Sequence, residues 1–265
     1  MAPYRIFALK YAGPLVGPAM MLMWMRDLDR TAERAYYIWC IRGGGHDTGG
    51  TADMSRTVVV DAGISPQKAA ERDLAGYVSP VEMLSRLDVD ASAVRHVVLT
   101  HLHWDHVNGA RLFPRATFYV QEREYRFWRD HPLAGRPPLR HVSDPQTYRF
   151  LGSLEGSSRL VLYDGDAELM PGIRCLLSPG HTLGLQTVAV ETERGTAVVG
   201  SDCAHVFGNY REDWPSSVIM NMLEWLETYD RIRSVASSPD LLFPGHDPVM
   251  TSGYPAVAED VTRLA

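Results

Sequence analysis

Apolar and polar positions along this chain recur with two different periods, and the switches between them mark out the elements. Residues 4–11 alternate loosely and predict an edge strand, whereas residues 36–42 are apolar enough for a strong, buried one. Residues 57–61 predict a second buried strand, closing in Asp61-Ala62-Gly63. Residues 81–87 have the spacing of an amphipathic helix and residues 94–100 that of a strand. Short helices are expected over 106–112 and 122–129, with a strand at 117–121 between them. Further strands at 160–162 and 174–178 precede a hairpin, 187–192 and 196–199, turning around Glu193-Arg194-Gly195. Val218, Ile219, Met222, Leu223, Leu226, Ile232 and Val235 fall on one face of a helix predicted over 217–235, and 241–243 is a last short strand.

Three stretches resist this reading. Residues 13–25 are loop-like and then apolar; their methionines and Trp24 read as core, with an adaptable pocket wall as the alternative. The glycines of residues 43–50 lack the spacing of a phosphate cradle and read as a hairpin connection. Residues 131–148, with Pro132, Pro137, Pro138 and Pro145, read as a surface loop or a lid over a site. No repeat, low-complexity tract or linker interrupts the chain. The expectation is one α+β domain spanning residues 1–265.

Composition narrows the function classes. With 45% hydrophobic and 22% charged residues the 265-residue chain can bury a sizeable core. A formal net charge of −6 without a basic run argues against nucleic acid as the main partner. Cys40, Cys175 and Cys203 are scattered and odd in number, so a reducing cytoplasm is the expected compartment. The apolar stretch at 15–25 is too short to span a membrane and lacks a signal-peptide cleavage pattern, so no membrane partner is expected.

The chemistry concentrates after the strand at 94–100, in Thr100-His101-Leu102-His103-Trp104-Asp105-His106. His101, His103 and Asp105 share one parity and would project to one side if the extended backbone carried on. His106 breaks that parity at the start of a helix. Four metal-competent side chains exceed what one ion with an open position takes, so the loop suits two adjacent ions. The missing ligands have candidates at other strand ends: His181 in Pro179-Gly180-His181-Thr182, Asp202 in Gly200-Ser201-Asp202, and His246 in Pro244-Gly245-His246. Cys203 beside Asp202 reads as packing and not as a nucleophile. Trp104 reads as a pocket wall or plain core.

This ordered set, HxHxDH followed by a lone His, a lone Asp and a final His, resembles the metallo-β-lactamase superfamily over nearly the whole chain. The resemblance implies a four-layer αβ/βα sandwich with the metals at the edge of two sheets. It implies that His101, His103 and His181 hold one Zn2+, that Asp105, His106 and His246 hold the other, and that Asp202 bridges them. Other divalent transition metals remain open. Asp61 matches the family's carboxylate behind the ligands. Leu102–Gly109, with Val120-Gln121-Glu122-Arg123-Glu124-Tyr125 and Ser178–Gly184, resembles the N-acyl-homoserine lactonase branch, quorum-quenching enzymes among them. One departure stands out. His205 occupies the place, three residues after the bridging Asp, where that branch carries a catalytic Tyr.

The implied activity is a metal-dependent hydrolase that opens a small lactone by attack of a metal-bridging hydroxide, with Asp105, Asp202 and His205 as the catalytic residues. Hydrolysis of another ester or cyclic amide is the nearest alternative. An iron-dependent sulfur dioxygenase is the next, and a metal-free binding protein the last. A small-molecule lactone or ester is the expected partner, and a homodimer is left open.

Overall fold

The computed structural model describes residues 3–44 and 53–265. Of the glycine-rich connection at 43–50, residues 45–50 lie outside the described residues. The strands are β1 (Tyr4–Pro18), β2 (Thr31–Gly43), β3 (Thr57–Val60), β4 (His96–Val98), β5 (Thr117–Gln121), β6 (Leu160–Tyr163), β7 (Ala167–Met170), β8 (Ile173–Leu177), β9 (Gln186–Thr192), β10 (Gly195–Ser201), β11 (Leu242–Pro244), β12 (Ala256–Ala258) and β13 (Val261–Arg263). The helices are α1 (Pro66–Arg72), α2 (Pro80–Ser85), α3 (Trp104–Val107), α4 (Glu122–Asp130), α5 (Pro137–Arg140), α6 (Pro145–Gly152), α7 (Phe207–Arg211) and α8 (Met222–Val235).

Strands β1 to β6 lie side by side in chain order, antiparallel through β3 and parallel from β3 to β6. A second run, β7-β8-β9-β10-β11, meets the first where Tyr4 of β1 pairs with Thr192 of β9. The alternation within β2 shows why these fold back to back. Tyr36, Ile38 and Cys40 face one core with α1, α2, α4 and α6, while Tyr37, Trp39 and Ile41 face another with Val188, Val190 and Val199. On the far side of the second run, Ala189, Val198 and Leu242 bury Trp225, Tyr229 and Ile232 of α8. Helices, sheet, sheet and helix make the four layers expected.

Several local expectations are corrected. β1 is no edge strand: it pairs with β2 and β13 and continues to Pro18, through residues read as loop. Register shifts between Lys10 and Leu15 break its alternation and hid its length. The methionine-rich stretch is not core, because Trp24 and Met25 are exposed and only Leu22 is buried. α8 starts at Met222, where Asn221 accepts the backbone N–H groups of Leu223 and Glu224, so Val218 and Ile219 precede it. Residues 131–148 are not irregular. α5 and the start of α6 fall there, with Asp144 capping α6. The chain between β4 and α3 carries the histidine loop, and this arrangement positions the site.

Candidate metal centre

All loops bearing candidate ligands leave the C-terminal ends of strands at one edge of the paired sheets. β4 delivers His101 and His103, β8 delivers His181, β10 delivers Asp202, and β11, parallel to β10, delivers His246. Two glycines permit the close approaches this requires. A Cβ on Gly180, at φ +141°, would sit 2.2 Å from the Trp225 Cβ, and one on Gly245 would sit 2.3 Å from Asp202 Oδ1.

The parity argument holds only in part. Extended backbone ends at His103, and α3 begins at Trp104, so Asp105 shares its first turn with His106. The donors accordingly fall into two groups around Asp202. His101, His103, His181 and Asp202 form one; Asp105, His106 and His246 form the other, and His205 makes a further, overlapping set with Asp202 and His246. Asp202 Oδ2 lies 3.4 Å from His181 Nε2 and 3.8 Å from His101 Nε2, and His181 Nε2 lies 3.0 Å from His103 Nδ1. Asp202 Oδ1 lies 3.4 Å from His106 Nε2 and 3.1 Å from His246 Nε2, while Asp105 Oδ2 is 3.6 Å from each of those nitrogens. Four donors placed tetrahedrally at zinc-ligand bond lengths stand about 3.4 Å apart, which is the spacing seen in both groups.

Proton placement fits the same occupant. His106 Nδ1 donates to Asp61 at 2.7 Å, His246 Nδ1 to the Ala35 carbonyl at 2.8 Å, and His181 Nδ1 to the Val218 carbonyl at 2.9 Å. Each contact leaves Nε2 as the lone-pair atom facing the cluster. His101 Nε2, His106 Nε2 and Asp202 Oδ1 are buried without a hydrogen-bond partner, a costly state that a cation relieves. Burial holds His101 and His181 well below the ordinary histidine range and His103 down at about 4, so all three are neutral, as ligands must be. Burial would lower His106 as well, but Asp202, Asp105 and Asp61 outweigh it and hold that imidazole above its usual value. Burial disfavours ionised Asp202, yet His246, His106 and His205 keep its carboxyl well below the usual carboxylate range.

Asp61 takes up the left-handed backbone at φ +62° and accepts from Thr100 N at 2.8 Å and Ser201 Oγ at 3.0 Å as well as from His106. It thus ties β3, β4 and β10 together behind the ligands. One positioning residue went unread in the sequence. Glu124, fully buried on α4, accepts from Leu102 N at 3.0 Å, Trp128 Nε1 at 2.7 Å and Gly184 N at 2.9 Å, clamping the histidine loop to the loop of His181. In the sequence it stood within the lactonase-like segment Val120–Tyr125 without a role assigned to it.

The sequence profile described as the Metallo-beta-lactamase superfamily matches residues 52–246. The chain belongs to that superfamily. An N-acyl homoserine lactonase from a Bacillus species is 26% identical over 63% of this chain and 61% of its own length. An N-acyl homoserine lactonase of Rhizobium johnstonii is 26% identical over 68% of both. The chain thus spans about three-fifths of the length of the first of these relatives. Among solved structures, a quorum-quenching N-acyl homoserine lactone lactonase superposes with a TM-score of 0.73 at 17% identity, covering 96% of this chain and 97% of that one. A dizinc quorum-quenching lactonase superposes at 0.70 with 16% identity, covering 94% and 89%. These superpositions establish the superfamily fold. No described helix is long and apolar enough to cross a membrane.

A cavity of about 140 Å³ opens onto the cluster, walled by Met21, Leu22, Trp104 and Val218. The loop expectations need correction here. Of residues 131–148, read as a loop or lid over the site, only His141 and Val142 reach the cavity. His205 does reach it, with Nε2 3.2 Å from Asp202 Oδ2 and its ring 5.3 Å from that of His246. Cys203 is buried, as expected of packing, and burial first and Asp202 second push its thiol well above the ordinary range.

Proposed function

We propose that this protein is a dinuclear zinc hydrolase that opens the ring of a small lactone, with two ions held three and three by the histidines and Asp105 around Asp202. The observation that carries the reading is the donor spacing of 3.0–3.8 Å in two groups sharing one carboxylate. Likeness to N-acyl homoserine lactonases supports the substrate class. Bound there, the ions would supply Lewis acidity toward the lactone carbonyl and lower the pKa of water to near neutrality. Asp202 keeps the two groups in register, and Asp61 and Glu124 hold the ligand loops still. Protein purified without chelator should carry close to two zinc-type ions per chain by plasma mass spectrometry, and one iron instead would point to oxygenase chemistry. A panel of lactones followed by pH-stat tests the hydrolysis itself. Three buried cysteines without disulfides support the cytoplasmic expectation.

In this reading Asp105 and Asp202 serve as metal-holding carboxylates and His205 as a hydrogen-bond donor. Its ring is packed among His181, His246 and Trp225 and borders the cavity, where an N–H can meet the substrate carbonyl or pass a proton to the departing ring oxygen. His205→Ala should lower kcat about 10²-fold, the low end for acid–base groups, while metal content stays intact. His205→Tyr should recover part of that loss by restoring a donor. An Ala variant with the parent rate and pH profile would leave His205 a packing residue.

A further inference from the structure

The cavity over the cluster carries two positive charges that the hydrolysis of a neutral lactone does not use. Arg34, half-buried on β2, stands with its guanidinium carbon 5.9 Å from the centroid of Tyr36, and Tyr36 packs edge-on to His246 at 4.9 Å. Arg72, in the last turn of α1, stands 4.4 Å above Trp104, whose ring lies 6.2 Å from that of Tyr36. The Arg34 guanidinium is therefore one aromatic ring away from the histidine cluster and that of Arg72 two, and both line the same cavity as Asp105, Asp202 and His246.

Neither has a carboxylate partner among the described residues. Arg72 donates only to the His141 carbonyl, at 3.3 Å, and Arg34 Nε is buried with no partner at all. The half-buried guanidinium of Arg34, left unmatched, costs free energy unless an anion completes it, while Arg72 stands exposed at the rim of the same cavity. Tyr36 cannot supply one. Burial, then the charge of Asp105, pushes its phenol far above the neutral range, so it stays an O–H donor between the two arginines. The carboxylates in the cavity wall, Asp105 and Asp202, both point into the histidine cluster.

Size sets a second limit. An apolar cavity of roughly 150 Å³ accommodates a benzene ring, so about 140 Å³ suits one small ring and a short substituent better than a buried acyl chain. Planar guanidinium groups match a planar carboxylate in bidentate fashion. We infer that the substrate is a compact lactone bearing a carboxylate, with Arg34 and Arg72 binding that carboxylate while the ring carbonyl meets the metal centre. The inference rests on the lactonase reading and specifies its substrate class.

The test compares the zinc-loaded protein on two probes, 5-oxotetrahydrofuran-2-carboxylate and the neutral γ-butyrolactone. The carboxylated lactone should be preferred in kcat/KM. In Arg34→Met, Arg72→Met and the double variant, the ratio of the two kcat/KM values should fall by about 10- to 100-fold, as expected for a lost charged hydrogen bond. A ratio unchanged in the double variant, or a preference of the parent protein for the neutral ring, overturns the inference. If neither lactone is opened, the lactonase reading fails and calorimetry still decides the anion site. The parent should bind 2-hydroxyglutarate, the ring-opened dianion, at least about tenfold more tightly than 4-hydroxybutyrate, and the double variant should lose that margin. Equal affinities in the parent would overturn it.

Discussion

Asp202→Asn should cut kcat/KM on any lactone the protein opens by at least about 10³-fold, the loss of several kcal/mol of charge stabilisation at about 1.4 kcal/mol per factor of ten. The substitution changes almost no volume, so the argument is about lone pairs and charge. Oδ2 faces His101, His181 and His205, and Oδ1 faces His106 and His246. An amide can turn only one oxygen to one group, and its NH2 offers the other no lone pair. Whichever way it lies, one ion site loses its shared anion. Steady-state kinetics paired with metal analysis checks this, and near-parent turnover with both ions retained would remove Asp202 from the bridging role.

Glu124→Ala should destabilise the fold by about 3–5 kcal/mol, because three buried donors lose their acceptor at once. Leu102 N, Trp128 Nε1 and Gly184 N converge on this one carboxylate. Burial pushes the Glu124 carboxyl above its ordinary value, and the hydrogen bonds from Leu102, Gly184 and Trp128 hold part of that rise back. The defect should also reach the metal centre. Leu102 sits between two ligand histidines and Gly184 lies in the loop after His181, so zinc affinity should fall about 10- to 100-fold, as for other residues that orient ligands. Urea unfolding and a chelator-competition titration measure the two effects. Glu124→Gln keeps one oxygen acceptor and should show a smaller version of both; a cost below about 1 kcal/mol for the Ala variant would refute the clamp.

Legibility followed the physics of burial. β3, β4 and β5, covered on both faces, read as near-continuous apolar runs, and the ligands stood out as polar groups placed right after such runs. β1 was cut short on paper because Gly13, Pro14 and Pro18 look like punctuation, whereas bulged pairing with β2 carries the strand through them. β12 and β13 have three residues each, too few for any period to register. α1 was missed although Ser65-Pro66 is a sound start signal, since its seven residues bury only Ala69. In the site, the candidate ligands were visible, because His and Asp recur at strand ends. Glu124, Arg34 and Arg72 were not, because each acts through the neighbours that folding brings to it.

Helix α8 supplies no donor to the centre, yet it is fastened to both halves of it. Trp225 packs on Gly180 and on the His181 ring and donates from Nε1 to the Cys203 carbonyl at 2.5 Å. Thr228 Oγ1 donates to the Pro179 carbonyl at 2.8 Å. Docking of this helix and assembly of the His181 and Asp202 loops are therefore one equilibrium observed from two sides. Any ion that prefers the assembled cluster tightens the helix by the same free energy that the docked helix lends to ion affinity. Substitutions along the outer face of α8 thus become a way to tune how tightly the cluster would hold an ion.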